Sequence, residues 1–149
     1  MMYRQPKVRV LCVDDEPAIC DFLRMILGES GDFLVETDTD SFAALAHAQR
    51  FKPDLIVLDI NMPGQDGFEL AAALRQEPWL RHRPIIFYSG MNPRTIPSRA
   101  GIGGAVEFVP KGGPPAEIEA AVRRQAGERL TLYAASQAEL RRFATRTSL

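Results

Sequence analysis

Five short apolar runs, separated by stretches whose apolar residues recur every three or four positions, constrain this chain more than any other feature. Residues 8–13, 33–37, 55–58, 85–88 and 105–109 read as strands. Between them, residues 17–27 carry a helical stripe of Ile19, Phe22, Leu23, Ile26 and Leu27. A second helix is expected over about residues 41–49, with Phe42, Leu45 and Ala48 as its buried stripe, and a third over 67–76. Residues 92–104 contain Pro93, Pro97 and three glycines, which leave room for only a short or poor helix. A last helix opens near Ala116 after Pro114-Pro115 and can run on to about residue 144. Gly127 interrupts it at a cost of about 1 kcal/mol relative to alanine. Strands alternating with helices predict an α/β fold, doubly wound around a parallel sheet. The nearly unbroken apolar runs at 55–58 and 85–88 suit central strands covered on both faces.

The chain's 149 residues fit one domain, and 46% hydrophobic with 25% charged residues is ordinary for a globular protein. A net charge of -1 lacks the basic field that nucleic acid or an anionic membrane needs, so neither is an expected partner. No apolar run reaches the length of a membrane span. The first residues lack the apolar stretch of a signal peptide, and Cys12 and Cys20 are too few for a disulfide framework. Both cysteines read as small buried hydrophobes, and a cytoplasmic, reducing location is expected. His47 and His82 read as surface or packing residues without evident partners.

Chemistry is expected where strands end. Asp14 and Asp15 follow the first strand and Asp59 the third, while Ser89 follows the fourth and Lys111 the fifth. Ligands of open parallel sheets bind beyond the carboxyl ends of the strands. Taken singly, an Asp-Asp-Glu run can cap a helix and Asp59 can serve a turn. Taken together, carboxylates converging on one edge call for a cation, and hard oxygen ligands suit Mg²⁺. A hydroxyl and an ammonium beside them can hold phosphoryl oxygens.

These residues resemble the receiver domains of bacterial two-component response regulators. The resemblance rests on Val-Leu-Cys-Val-Asp-Asp-Glu (10–16), Leu-Ile-Val-Leu-Asp-Ile-Asn-Met-Pro-Gly-Gln-Asp-Gly (55–67), Ser-Gly (89–90) and Phe-Val-Pro-Lys (108–111). It implies a flavodoxin-like five-stranded sheet of order 2-1-3-4-5. Asp59 would accept a phosphoryl group from a sensor histidine kinase, a histidine phosphotransfer protein or a small phosphodonor. Asp15, Asp59 and the Asn61 carbonyl would ligate Mg²⁺ directly, and Asp14 would act through a water. Lys111 would pair with Asp59 and then with the phosphoryl oxygens. Ser89 and Phe108 would be the switch pair, and Asn61 and Met91 would tune the phosphate's lifetime. Such a protein modifies and restores itself rather than turning over an external substrate.

The chain departs from that pattern in three places. One is Pro110 before the lysine, which has no ladder donor and is tolerable if the fifth strand lies at the sheet edge. Gly112-Gly113 stand where the family usually has proline after the lysine, and the 93–104 stretch replaces a sturdy helix. An aspartyl-phosphate hydrolase of the haloacid dehalogenase type would ask for Asp-x-Asp after the first strand, whereas Asp14 and Asp15 are adjacent. A receiver-like interaction module that works without phosphorylation would have no need of the acidic trio and lysine. Residues 1–127 are expected to form the receiver unit and 128–149 a helical extension or linker, through which a homodimer could form. The downstream target is not written in the sequence.

Overall fold

The computed structural model describes residues 7–90 and 106–147. Strands β1 (Val8–Val13), β2 (Phe33–Asp38), β3 (Leu55–Leu58), β4 (Ile85–Ser89) and β5 (Val106–Pro110) alternate with helices α1 (Pro17–Gly28), α2 (Ala44–Phe51), α3 (Gly67–Arg75) and α4 (Pro115–Thr147). All neighbouring strands pair in parallel, and the sheet order is β2-β1-β3-β4-β5. The chain order reverses between β1 and β3, which creates a crevice at their carboxyl ends.

Period-2 alternation divides the strands between two cores. Leu11, Val13, Ile56, Leu58, Ile85 and Phe87 face α2 and α3, packing with Ala44, Ala48, Phe68, Leu70 and Leu74. Val8, Val10, Cys12, Leu55, Val57, Ile86 and Tyr88 face α1 and α4, packing with Leu23, Leu27, Ile118 and Val122. Both cysteines are buried and unpaired, as expected. Pro110 lies on the edge strand β5, where a missing ladder donor is tolerated.

The start of the second helix differs from its expected position. It begins at Ala44 rather than Ser41, because Asp side chains take the preceding backbone donors: Asp38 Oδ1 accepts from Asp40 N–H and Asp40 Oδ1 from Phe42 N–H, each at 2.9 Å. Phe42 therefore leaves the expected buried stripe and is 67% exposed. Gly127 adopts φ 27° and ψ -105°, which bends α4 at that point. The expected weak helix at 92–104 lies outside the described residues.

Candidate functional site

The carboxyl ends of β1 and β3 bring the acidic residues together through one extra rung of backbone bonding. Asp59 N–H donates to the Val13 carbonyl at 2.9 Å, and Asp14 N–H donates to the Asp38 carbonyl at 3.1 Å. Asp14, Asp15 and Asp59 each present a carboxylate oxygen within 4.8 Å of the others. Asp14 and Asp59 are buried, and Asp15 is half-buried. Asp14 Oδ1 accepts from Glu16 N–H at 3.0 Å, and Asp59 Oδ1 from Ile60 N–H at 2.8 Å.

Lys111 supplies the positive charge. Its N–H donates to the Ser89 carbonyl at 2.9 Å, which anchors the residue to the end of β4. Its ammonium lies 2.6 Å from Asp14 Oδ2 and 3.4 Å from Asp59 Oδ2. Burial pushes the Asp14 carboxyl above its ordinary value, and the bond from Lys111 offsets only part of that. Burial alone would lower the Lys111 value, but bonding to Asp14 and the charges of Asp14 and Asp59 outweigh it and hold it raised. The ammonium is therefore charged at neutral pH. Three carboxylates still face one ammonium, an excess of negative charge among hard oxygen donors that fits a divalent cation.

The loop after Asp59 is held tightly. Gly67 N–H donates to the Ile60 carbonyl at 2.8 Å. A Cβ at Gly67 would overlap the Asp59 carbonyl oxygen and sit 2.9 Å from Ile60 Cα. Only glycine allows the backbone to approach this closely. Asp66 then caps α3, its Oδ1 accepting from Glu69 N–H at 2.8 Å. Asn61 lies in the exposed part of the same loop. Ser89 is fully buried at the end of β4, and Phe108 on β5 is half-buried against the core that includes Phe87. Beyond Lys111, Gly112 turns the chain at φ 89°, where the expected family pattern has proline. Met91 lies outside the described residues.

The structure corrects the expectation for His47. Its ring bridges Glu36 and Asp38 on β2. The signal available in the sequence was the pair of acids two apart on a strand, which shares one face. His82 is exposed, as expected.

A family model described as the response regulator receiver domain matches residues 10–123. Response regulator Rre1 of Synechocystis is 30% identical over 116 residues, covering 78% of this chain and 50% of that protein. Response regulator PleD of Caulobacter vibrioides is 36% identical over 103 residues, covering 69% of this chain and 22% of that protein. The chain thus spans half or less of these relatives. The chemotaxis protein CheY4 of Vibrio cholerae superposes with a TM-score of 0.73 at 29% identity, over 80% of this chain and 99% of that one.

The chain belongs to the response regulator receiver domain family. With this fold and acidic cluster it is a phospho-accepting aspartate switch of the two-component type. Among the described residues no helix is long and apolar enough to cross a membrane.

Proposed function

We propose that Asp59 is the acceptor and that its phosphoryl donor is a sensor histidine kinase or a histidine phosphotransfer protein. The observation that carries this reading is the placement of the Asp59 carboxylate. It is buried at the switch point, tied to Ile60 N–H at one oxygen and 3.4 Å from the Lys111 ammonium at the other. An Asp59 oxygen forms the new P–O bond as the donor's P–N bond breaks, and the donor imidazole leaves with the electron pair. Lys111 follows the charge that develops on the phosphoryl oxygens, and the Ser89 hydroxyl donates to one of them. Phe108 moves into the space that the Ser89 movement vacates.

The cation that suits the site is Mg²⁺, held by Asp15, Asp59 and the Asn61 carbonyl, with Asp14 acting through a water. When bound, Mg²⁺ offsets the carboxylate charge and draws charge from the phosphoryl oxygens. Asn61 and Met91 tune hydrolysis of the acyl phosphate. Residues 1–127 form the receiver unit, and the bend at Gly127 supports assigning 128–149 to an extension that can join two copies.

Acetyl phosphate with Mg²⁺ should add one phosphoryl group, read by intact mass, and should add none to Asp59→Ala. Equal modification of that variant overturns the assignment of the acceptor.

A further inference from the structure

The edge strand β2 carries a side-chain cluster for which the acceptor chemistry has no use. Glu36 and Asp38 lie on the same face of β2, and His47 of α2 sits between them. His47 Nε2 is 2.7 Å from Glu36 Oε1, and Nδ1 is 2.9 Å from Asp38 Oδ2. A neutral imidazole has one N–H and one lone pair, so it can donate to only one carboxylate and must turn its lone pair toward the other. Only the imidazolium donates to both. The bridge is complete only when His47 is charged.

Asp38 connects this bridge to the acceptor site. Its carbonyl accepts from Asp14 N–H at 3.1 Å, beside the acidic trio. Its second carboxylate oxygen accepts from Asp40 N–H, and Asp40 in turn accepts from Phe42 N–H, each at 2.9 Å. This turn sets the Phe42 ring against Gly64, in the loop that follows Asp59. A Cβ on Gly64 would lie 2.5 Å from Phe42 Cε2, so ring and backbone are in close contact. Phe42 is 67% exposed, and its backbone N–H is bonded within the Asp turn.

We propose that His47 is a proton switch for the acceptor loop: the imidazolium clamps Glu36 and Asp38, the clamped turn seats Phe42 on Gly64, and loss of the proton loosens that seat. Its effect on phosphoryl transfer rests on Asp59 being the acceptor, whereas its effect on the loop does not.

The charged groups facing the ring are Glu36 and Asp38 from β2. Asp40 occupies the turn between β2 and α2. From β1, Arg9 lies over the Phe51 ring at 5.5 Å, and Phe51 in turn meets His47 edge-on at 6.2 Å. On the connection that follows α3, Glu77 accepts from Gln49 of α2 at 2.9 Å rather than from His47. Partial burial would lower the His47 value, but the bonds and charges of Glu36 and Asp38 outweigh it and raise it above 6.5. A raised value in the folded state means the stabilisation is fully present below pH 6.5 and is lost as pH rises through the folded value. The switch therefore opens on the alkaline side.

The test is a pH titration of the isotope-labelled full chain by NMR from about pH 5.5 to 9. The His47 ring should titrate above 6.5, and the amides of Asp40, Phe42 and Gly64 should move with the same midpoint. In His47→Gln the common midpoint should vanish while the sheet amides keep their positions. In Phe42→Ala, His47 should keep its midpoint while Gly64 ceases to follow. The wild-type rate of phosphorylation by acetyl phosphate, divided by the His47→Gln rate, should change several-fold across that midpoint. A His47 midpoint at or below 6.5, a Gly64 amide indifferent to it, or a rate ratio constant with pH overturns the proposal. If Gly64 follows His47 but Asp59 accepts no phosphoryl group at any pH, the loop switch stands and the acceptor assignment fails.

Discussion

The Lys111 ammonium bonds Asp14 at 2.6 Å and stands farther from Asp59, at 3.4 Å. The family resemblance led us to expect Asp59 as its partner. That pair is present, and Lys111 also bonds more closely the neighbouring Asp14 carboxylate, whose own burial raises its proton affinity. The lysine thus serves two ends: it offsets part of the burial cost of a charged Asp14, and it competes with any cation drawn to the same trio.

Replacing Lys111 by methionine separates those two effects. Removing a charge beside three carboxylates should tighten Mg²⁺ binding roughly tenfold, on the order of 1.4 kcal/mol for a screened, partly buried site. The same change should lower phosphoryl accumulation on Asp59, because an equatorial oxygen loses its cationic partner. Calorimetric Mg²⁺ titration and intact mass after acetyl phosphate give the two readouts. Weaker Mg²⁺ binding in the variant contradicts the competition argument.

Gly67 is expected to tolerate no side chain. Alanine there must displace the Asp59 carbonyl or Ile60 backbone rather than a flexible side-chain tip. Overpacking of this kind typically costs about 1–3 kcal/mol. Urea unfolding of Gly67→Ala should show that loss, together with a lower rate of phosphorylation because the acceptor backbone moves. A variant of wild-type stability and rate would show that the loop can relax.

Much of this architecture was legible because its causes are local. The apolar runs at 8–13 and 55–58 coincide with β1 and β3, since residues on both faces of a central strand are buried. The acidic trio was legible because each member directly follows a strand, and parallel pairing then brings strand ends together. The late start of α2 was hidden: periodicity places Phe42 on the stripe but does not reveal that Asp38 and Asp40 bond its turn. His47 was hidden for a related reason, as its partners lie across a strand–helix contact. So was Arg75. Its Nη1 donates to the Leu80 and Arg83 carbonyls of the α3–β4 connection, and it is buried at a helix end where its charge suggests solvent.

Acid should loosen the packing of α4 on β5. Burial would raise the Glu107 value, but bonds from Arg124 and Gln125 outweigh it and hold it below 4.5. A depressed value gives a stabilisation present above 4.5 and lost as pH falls through the folded value. Glu107→Gln should be less stable than wild type at neutral pH and should converge on it in acid. Thermal unfolding followed across that window checks the sign.

The segment beyond Gly127 should behave as two parts. Its first turn folds back on the receiver: Arg129 Nε lies 3.3 Å from Asp54 Oδ1, and Leu130 packs beside the core that includes Val8 and Phe33. Farther on, Ala138, Glu139, Arg141, Arg142 and Phe143 are exposed. The positive φ at Gly127 favours glycine, and alanine there would be strained even though its Cβ meets no neighbour. Gly127→Ala should therefore straighten α4, breaking the Arg129–Asp54 pair and lifting Leu130 away. Amide exchange should rise around Leu130 in that variant but change little in β1 and β3. Ending the chain at residue 127 should cost about 1–2 kcal/mol, the value of partly burying one leucine. If the exposed stretch joins two copies, light scattering will give a dimer for the full chain and a monomer for the shortened one. Monomers in both cases, with rapid exchange beyond residue 135, make that stretch a linker and leave only the first turn as part of the receiver.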